Sequence, residues 1–150
     1  MEYKSTPYAN SVFEQPWWLD IVASGKWQAV TVEKNGKIVA RMPYVFYNGK
    51  IGNPTYTQTL GIWLDNSIKA FQKGNSQLTT QKEIIKELFS QLPKAKEIDI
   101  IIDSSLDYVL PFRWLGFKLE PTFSYRINDL QNIDTVFSRM GKSVEKNIKT

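Results

Sequence analysis

A mixed α/β (α+β) fold, one sheet with helices packed on it, is what this sequence predicts, and three observations predict it. Two Asn-Gly pairs, Asn35-Gly36 and Asn48-Gly49, separate runs rich in Val, Ile and aromatic residues. That is a strong hairpin signal, because both turn residues must accept positive φ. From Thr80 the apolar period becomes helical, with Ile84, Ile85, Leu88, Phe89 and Leu92 in step until Pro93. Then comes "EIDIIID", Glu97 to Asp103, a short and almost continuous apolar run of the kind buried on both faces of a sheet.

Each element follows from local grammar. In "SVFEQPWWLD" (11–20), Pro16 suits a first helical position and Gly25 the residue past the end, so a helix runs between them. Trp17 and Trp18 are adjacent and cannot share a direction: one fills the core, and the other lies on a flank where its N–H needs a partner. Two strands flank Asn35-Gly36, and Pro43 in the second calls for a bulge or an edge. After Asn48-Gly49, "KIGNPTYTQTLGIWL" carries Gly52, Pro54 and Gly61 and reads as an extended, bent segment with polar groups on show. Thr80 and Glu83 have capping-box spacing, which starts the second helix there. A short helix is expected around 107–114 with a stop at Gly116, then a strand from Phe117 towards Ile127. Last comes a helix with Ile133, Phe137, Met140, Val144 and Ile148 on one face.

Composition narrows the chemistry. A chain of 150 residues with 42% hydrophobic and 23% charged residues is ordinary for one globular domain. It has no apolar run long enough for a membrane span and no signal peptide at its start. Cytoplasmic residence is the reading this fits. Without cysteine there is no disulfide, thiol nucleophile or thiolate metal site; without histidine the usual general base and commonest metal ligand are missing. No metal site is expected, and no serine nucleophile has an adjacent base of the usual kind. The net charge of +4 is concentrated at the end. Arg139, Lys142, Lys146 and Lys149 against Glu145 place three of the four net charges in 138–150. A basic stripe across the fold, the footprint of a nucleic-acid binder, is absent from this pattern.

Five stretches, "SVFEQPWWLDIV", "VARMPYV", "YTQTLGIWL", "LPFRWLGFKLEPTFSYRI" and "SRMGKSVEKNIK", together resemble the first half of a Fem-like (methicillin-resistance-type) protein. That family belongs to the GNAT-related acyltransferases and includes the BioF2-like acetyltransferase domains. The resemblance covers essentially the whole chain. It is most specific at the Gln-Pro-Trp-Trp opening and at Thr57-Gln58-Thr59-Leu60-Gly61. It implies a GNAT-like (acyl-CoA N-acyltransferase) fold: a strongly twisted mixed sheet with a splayed central pair and helices on both faces. It implies a GNAT-like domain over 1–132 and an amphipathic basic helix over 133–150 leading toward a second half. It also implies transfer of an acyl or aminoacyl group to an amine on a small molecule, peptide or glycan precursor. The donor would be acyl-CoA or aminoacyl-tRNA, the one nucleic acid the resemblance brings in.

The superfamily's donor loop, Arg/Gln-x-x-Gly-x-Gly/Ala before a helix, is not spelled by any of the eight glycines. The chain is therefore expected to supply mainly the acceptor side and to bind no donor tightly by itself. A non-catalytic binding module of the same fold is the alternative. Acceptor contact falls to Gln15, Trp18, Tyr56, Gln58 and Arg113; no catalytic residue stands out. Each has a plainer reading. Gln15 with the two indoles also reads as an N-cap beside core-flank aromatics, the polar 56–59 stretch as a bend satisfying its own backbone, and Arg113 and Arg126 as solvated or paired cations. Tyr125 reads as a core residue of its strand. Asp99, Asp103 and Asp107 read as strand and helix ends before they read as an acid–base pair. The stripe through Val144 and Ile148 needs cover, from a second half or from another copy in a homodimer.

Overall fold

The structure, a computed structural model, describes residues 4–69, 75–123 and 131–140. Its sheet is organised by the two Asn-Gly turns. Asn35 and Gly36 take φ of 52° and 72°, and β1 (Trp27–Lys34) and β2 (Lys37–Tyr47) pair antiparallel from Lys34↔Lys37 out to Trp27↔Val45. Asn48 and Gly49, at 51° and 79°, return the chain as β3 (Lys50–Gly52), antiparallel to the end of β2. A two-residue β4 (Trp63–Leu64) pairs with β2 opposite Ala40 and Arg41. β5 (Glu97–Asp99) adds to β3 in parallel. The result is a five-stranded mixed sheet in the order β1-β2-β3-β5, with β4 beside β2.

Pro43 is accommodated by this arrangement. The register shift in the hairpin lies at Val32/Glu33, not at the proline, and Pro43 pairs regularly with Ala29. On the other side of β2, β3 covers 45–47 and β4 covers 40–41. Pro43 sits opposite the gap between them, a local edge within a central strand.

Residues 39–44 of β2 are all buried, so both faces of the sheet are covered there. Side chains alternate along a strand. Arg41 reaches the carbonyls of Tyr8 and Glu14, and Trp27 Nε1 donates to Asp20. The 3₁₀ turn Val12–Glu14 and α1 (Pro16–Val22) therefore lie on the odd-numbered face. The even-numbered face, with Val30, Val32, Ala40 and Met42 in the core, is left to α2 (Asn75–Ser90), which packs on β1 and β2. Its Ile84, Ile85 and Leu88 are fully buried, and Gln91 just beyond it donates to Thr31 O. α3 (Leu110–Trp114) packs on α2; Phe89, Phe112 and Phe117 meet ring to ring.

Several sequence expectations need correction. α2 begins at Asn75, so Thr80 is an interior residue and no capping box starts the helix there. The 97–103 run is not a strand buried on both faces. Only Glu97–Asp99 pair, and Ile98 is half-buried. β5 is the last strand in the order, and its ladder is cut short because Asn53 Oδ1, a side chain, takes the Ile101 N–H. α3 begins at Leu110, three residues later than expected. Gly116, at φ 91°, does end it. Residues 117–123 form no strand; Phe117 N–H instead closes α3 onto Phe112 O. The remainder of that expected strand, including Tyr125 and Arg126, lies outside the described residues.

The chain divides into two compact units, Met1–Lys118 and Leu119–Thr150. In the second, α4 (Ile133–Ser138) is capped by the Asn132 side chain, which accepts from Thr135 N–H at 3.1 Å. It stops at Ser138, short of Met140, where the next residue in the sequence is the poor helix former Gly141. Among the described residues α4 carries Ile133 and Phe137 of the expected stripe, and Met140 lies beyond its end. Val144, Ile148 and the lysines lie outside the described residues. No helix among the described residues is long and apolar enough to cross a membrane.

Candidate functional site

Neither tryptophan of the opening motif is in the core. Leu19, the next residue round the helix, is fully buried there instead. Trp17 and Trp18 are both half-buried and meet edge to face, with centroids 6.0 Å apart; Phe13 packs on Trp18 at 5.4 Å. The flank indole does find its partner: Trp18 Nε1 donates to Thr57 Oγ1 at 3.1 Å. That bond ties α1 to the polar 53–60 segment.

The segment is held in an unusual shape from within. Thr57 N–H closes a turn onto Pro54 O, and Tyr56 sits in that turn at φ 63°. A non-glycine residue there carries backbone strain on the order of 1–2 kcal/mol. Asn53 braces the loop: its amide donates to Thr57 O and Gln58 O and accepts from Ile101 N–H. Thr57 is buried, while Tyr56 is 82% exposed and Gln58 is exposed. The hydroxyl of Thr57 is thus spent on the fold, and the two outward side chains are left to solvent.

The other candidates are not gathered at this loop. Gln15 is the N-cap residue of α1, yet its side chain makes no cap bond. It accepts from Thr6 N–H and donates to Thr6 O, pinning the segment before α1. Arg113 is exposed on α3, and no contact among the described residues ties it to Trp18 or the loop. Asp99 and Asp107 are exposed, and Asp103 accepts from Ser105 N–H in a turn of its own. Two shallow clefts, of about 410 and about 360 Å³, are lined by none of the five predicted contact residues; Asn53 borders the second.

Sequence reasoning missed the buried polar cluster under the loop. Glu14 is fully buried, accepting from Asn10 N–H at 2.7 Å and from Asn10 Nδ2 at 3.2 Å, with Gly61 N–H also favouring its charged form. Burial raises its pKa, the negative charge of Asp103 adds to this, and the N–H donors oppose it. Arg41 is buried beside it, its pKa lowered by desolvation against the pull of Glu14. Its guanidinium donates to Glu14 O at 3.0 Å and Tyr8 O at 3.1 Å. It also lies 5.7 Å from the Trp27 ring centroid. Two signals were available. Ser11-x-x-Glu14 has capping-box spacing, and Arg41 interrupts an apolar run.

Set against models of known families, curated proteins and solved structures, the chain matches none. Fold and site together define a class: a mixed α+β domain presenting a braced, strained polar loop beside a tryptophan pair.

Proposed function

We infer that this chain supplies the acceptor-binding side of a Fem/GNAT-like N-acyltransferase. It would hold an amine-bearing small molecule, peptide or glycan precursor while an acyl or aminoacyl group arrives from acyl-CoA or aminoacyl-tRNA. The observation that carries the reading is the Trp18–Thr57 hydrogen bond. It joins the two stretches in which the family resemblance is most specific, 39 residues apart, and leaves Tyr56 and Gln58 facing outward between them. Such transfer needs no covalent enzyme intermediate. Alignment of the amine with the donor carbonyl supplies much of the acceleration, so a rigid acceptor loop is the useful contribution of this half.

Titrating the ¹⁵N-labelled chain with glucosamine and with a lysine-containing tripeptide tests the reading. Saturable shifts of the Trp18 indole N–H and the Gln58 side-chain amide, lost when the amine is acetylated beforehand, are expected. Shifts elsewhere, or none, overturn it. Acetyl-CoA is expected to bind weakly, because the phosphate-cradling loop is missing from the sequence; tight stoichiometric binding by calorimetry overturns the acceptor-side assignment. Amine binding with no transfer in any pairing with a donor-binding partner would favour the non-catalytic module.

A further inference from the structure

Glu14 is the one fully buried carboxylate among the described residues, and it is held from two directions. From its own side, Asn10 gives it a backbone N–H at 2.7 Å and both oxygens a side-chain contact at 3.2 Å. From the other, Gly61 N–H lies on the side that favours its charged form. Gly61 closes the Thr57–Gly61 stretch and is pressed against the segment after β5: a Cβ there would lie 2.3 Å from Ile102 Cγ2. Its neighbour Leu60 donates to Ile101 O at 2.8 Å, and Asn10 Nδ2 also donates to Ile62 O at 3.0 Å. The carboxylate thus clamps the exit of the 53–60 loop while Trp18 holds its middle. The charged groups that face it are Arg41 from β2 and Asp103 from the segment after β5.

We propose that Glu14 is a positioning residue for the 53–60 loop, and that adding a proton to its carboxylate loosens that loop. A carboxylate only accepts; a carboxylic acid turns one oxygen into a donor, so Asn10 and Gly61 then face fewer acceptor sites. Desolvation, reinforced by Asp103, brings the proton on at a higher pH than for an exposed glutamate. Acidification therefore reaches Glu14 earlier than it would reach the same side chain in water. The consequence for acceptor binding rests on the function proposed above; the switch itself does not.

The test is a pH titration of the ¹⁵N-labelled full chain between about pH 4 and about pH 8, following the Gly61 amide and the Trp18 indole N–H with no ligand present. Both are expected to move together, with a midpoint above the ordinary glutamate value of about 4.3. Neither should titrate in Glu14→Gln. Either resonance staying flat in the native chain, or a titration surviving in Glu14→Gln, overturns the proposal. Gly61 moving without Trp18 does so too, since the clamp would then not reach the loop. Asp103→Asn keeps the question open to test if Glu14→Gln does not fold: the midpoint should fall, and an unchanged midpoint refutes the assignment to Glu14. Because no amine or donor is added, failure here leaves the acyltransferase reading standing, and the reverse holds.

Discussion

Tyr56 and Thr57 are neighbours with opposite roles, and the difference is direction. Thr57 is turned inward to the Trp18 indole, while Tyr56 is held outward in a left-handed turn. Trp18→Phe should therefore strand a buried hydroxyl and cost on the order of 1 kcal/mol, read as a Tm lower by about 2–4 °C. Gln58→Ala removes an exposed side chain whose backbone carbonyl, not its amide, is what Asn53 holds. It should leave stability within about 0.5 kcal/mol while removing acceptor contact. A Tm drop of several degrees would mean the side chain braces the bend. Tyr56→Gly relieves the positive φ and should not lower the Tm, yet it should weaken amine binding in the NMR titration. Strain kept at an exposed aromatic is the pattern of a residue retained for contact.

At the scale of elements, the turns and helix ends were the most legible features, because each is decided by a few adjacent residues. Both Asn-Gly hairpins, Pro16 at the start of α1 and Gly116 after α3 lie where local chemistry puts them. Gly36→Val, at φ 72°, should cost about 1–2 kcal/mol and show as a lower urea midpoint with an unchanged m-value. Elements defined by partners were misjudged. "EIDIIID" has the composition of a central strand, but the sheet order makes β5 its last member, and Asn53 takes the place of the next ladder bond. Inside α2, Leu88 is fully buried between helix and sheet. Leu88→Ala should destabilise by about 2–5 kcal/mol, measurable by urea unfolding.

At the scale of the molecule, the buried hydrophobic residues among those described fall between Leu19 and Phe112, within the Met1–Lys118 unit. A chain cut after Lys118 should keep a cooperative thermal transition by circular dichroism; a broad, non-cooperative melt would show that the core needs residues beyond it. The buried carboxylate also leaves a global signature. Its folded-state pKa is raised, so its favourable contribution is present below the unfolded value of about 4.3 and is lost as pH rises through the folded value. Urea midpoints of Glu14→Gln should therefore gain on those of the native chain as pH is raised across that window. A difference that does not change with pH would mean Glu14 ionises as it does in the unfolded chain.

The sequence by itself determined the class of fold, the two hairpin turns, the start of α1, the stop after α3 and the absence of thiol and imidazole chemistry. These depend on residue type and on neighbours a few positions apart. It also marked the Gln-Pro-Trp-Trp and Thr57–Gly61 stretches, through resemblance. Only the tertiary structure decided that Trp18 bonds Thr57, that Gln15 is spent on Thr6, that Arg113 stands elsewhere, and that Glu14 and Arg41 are buried under the loop. The physical reason is common to all four. A polar group's role depends on which partner replaces water around it, and those partners come from other elements.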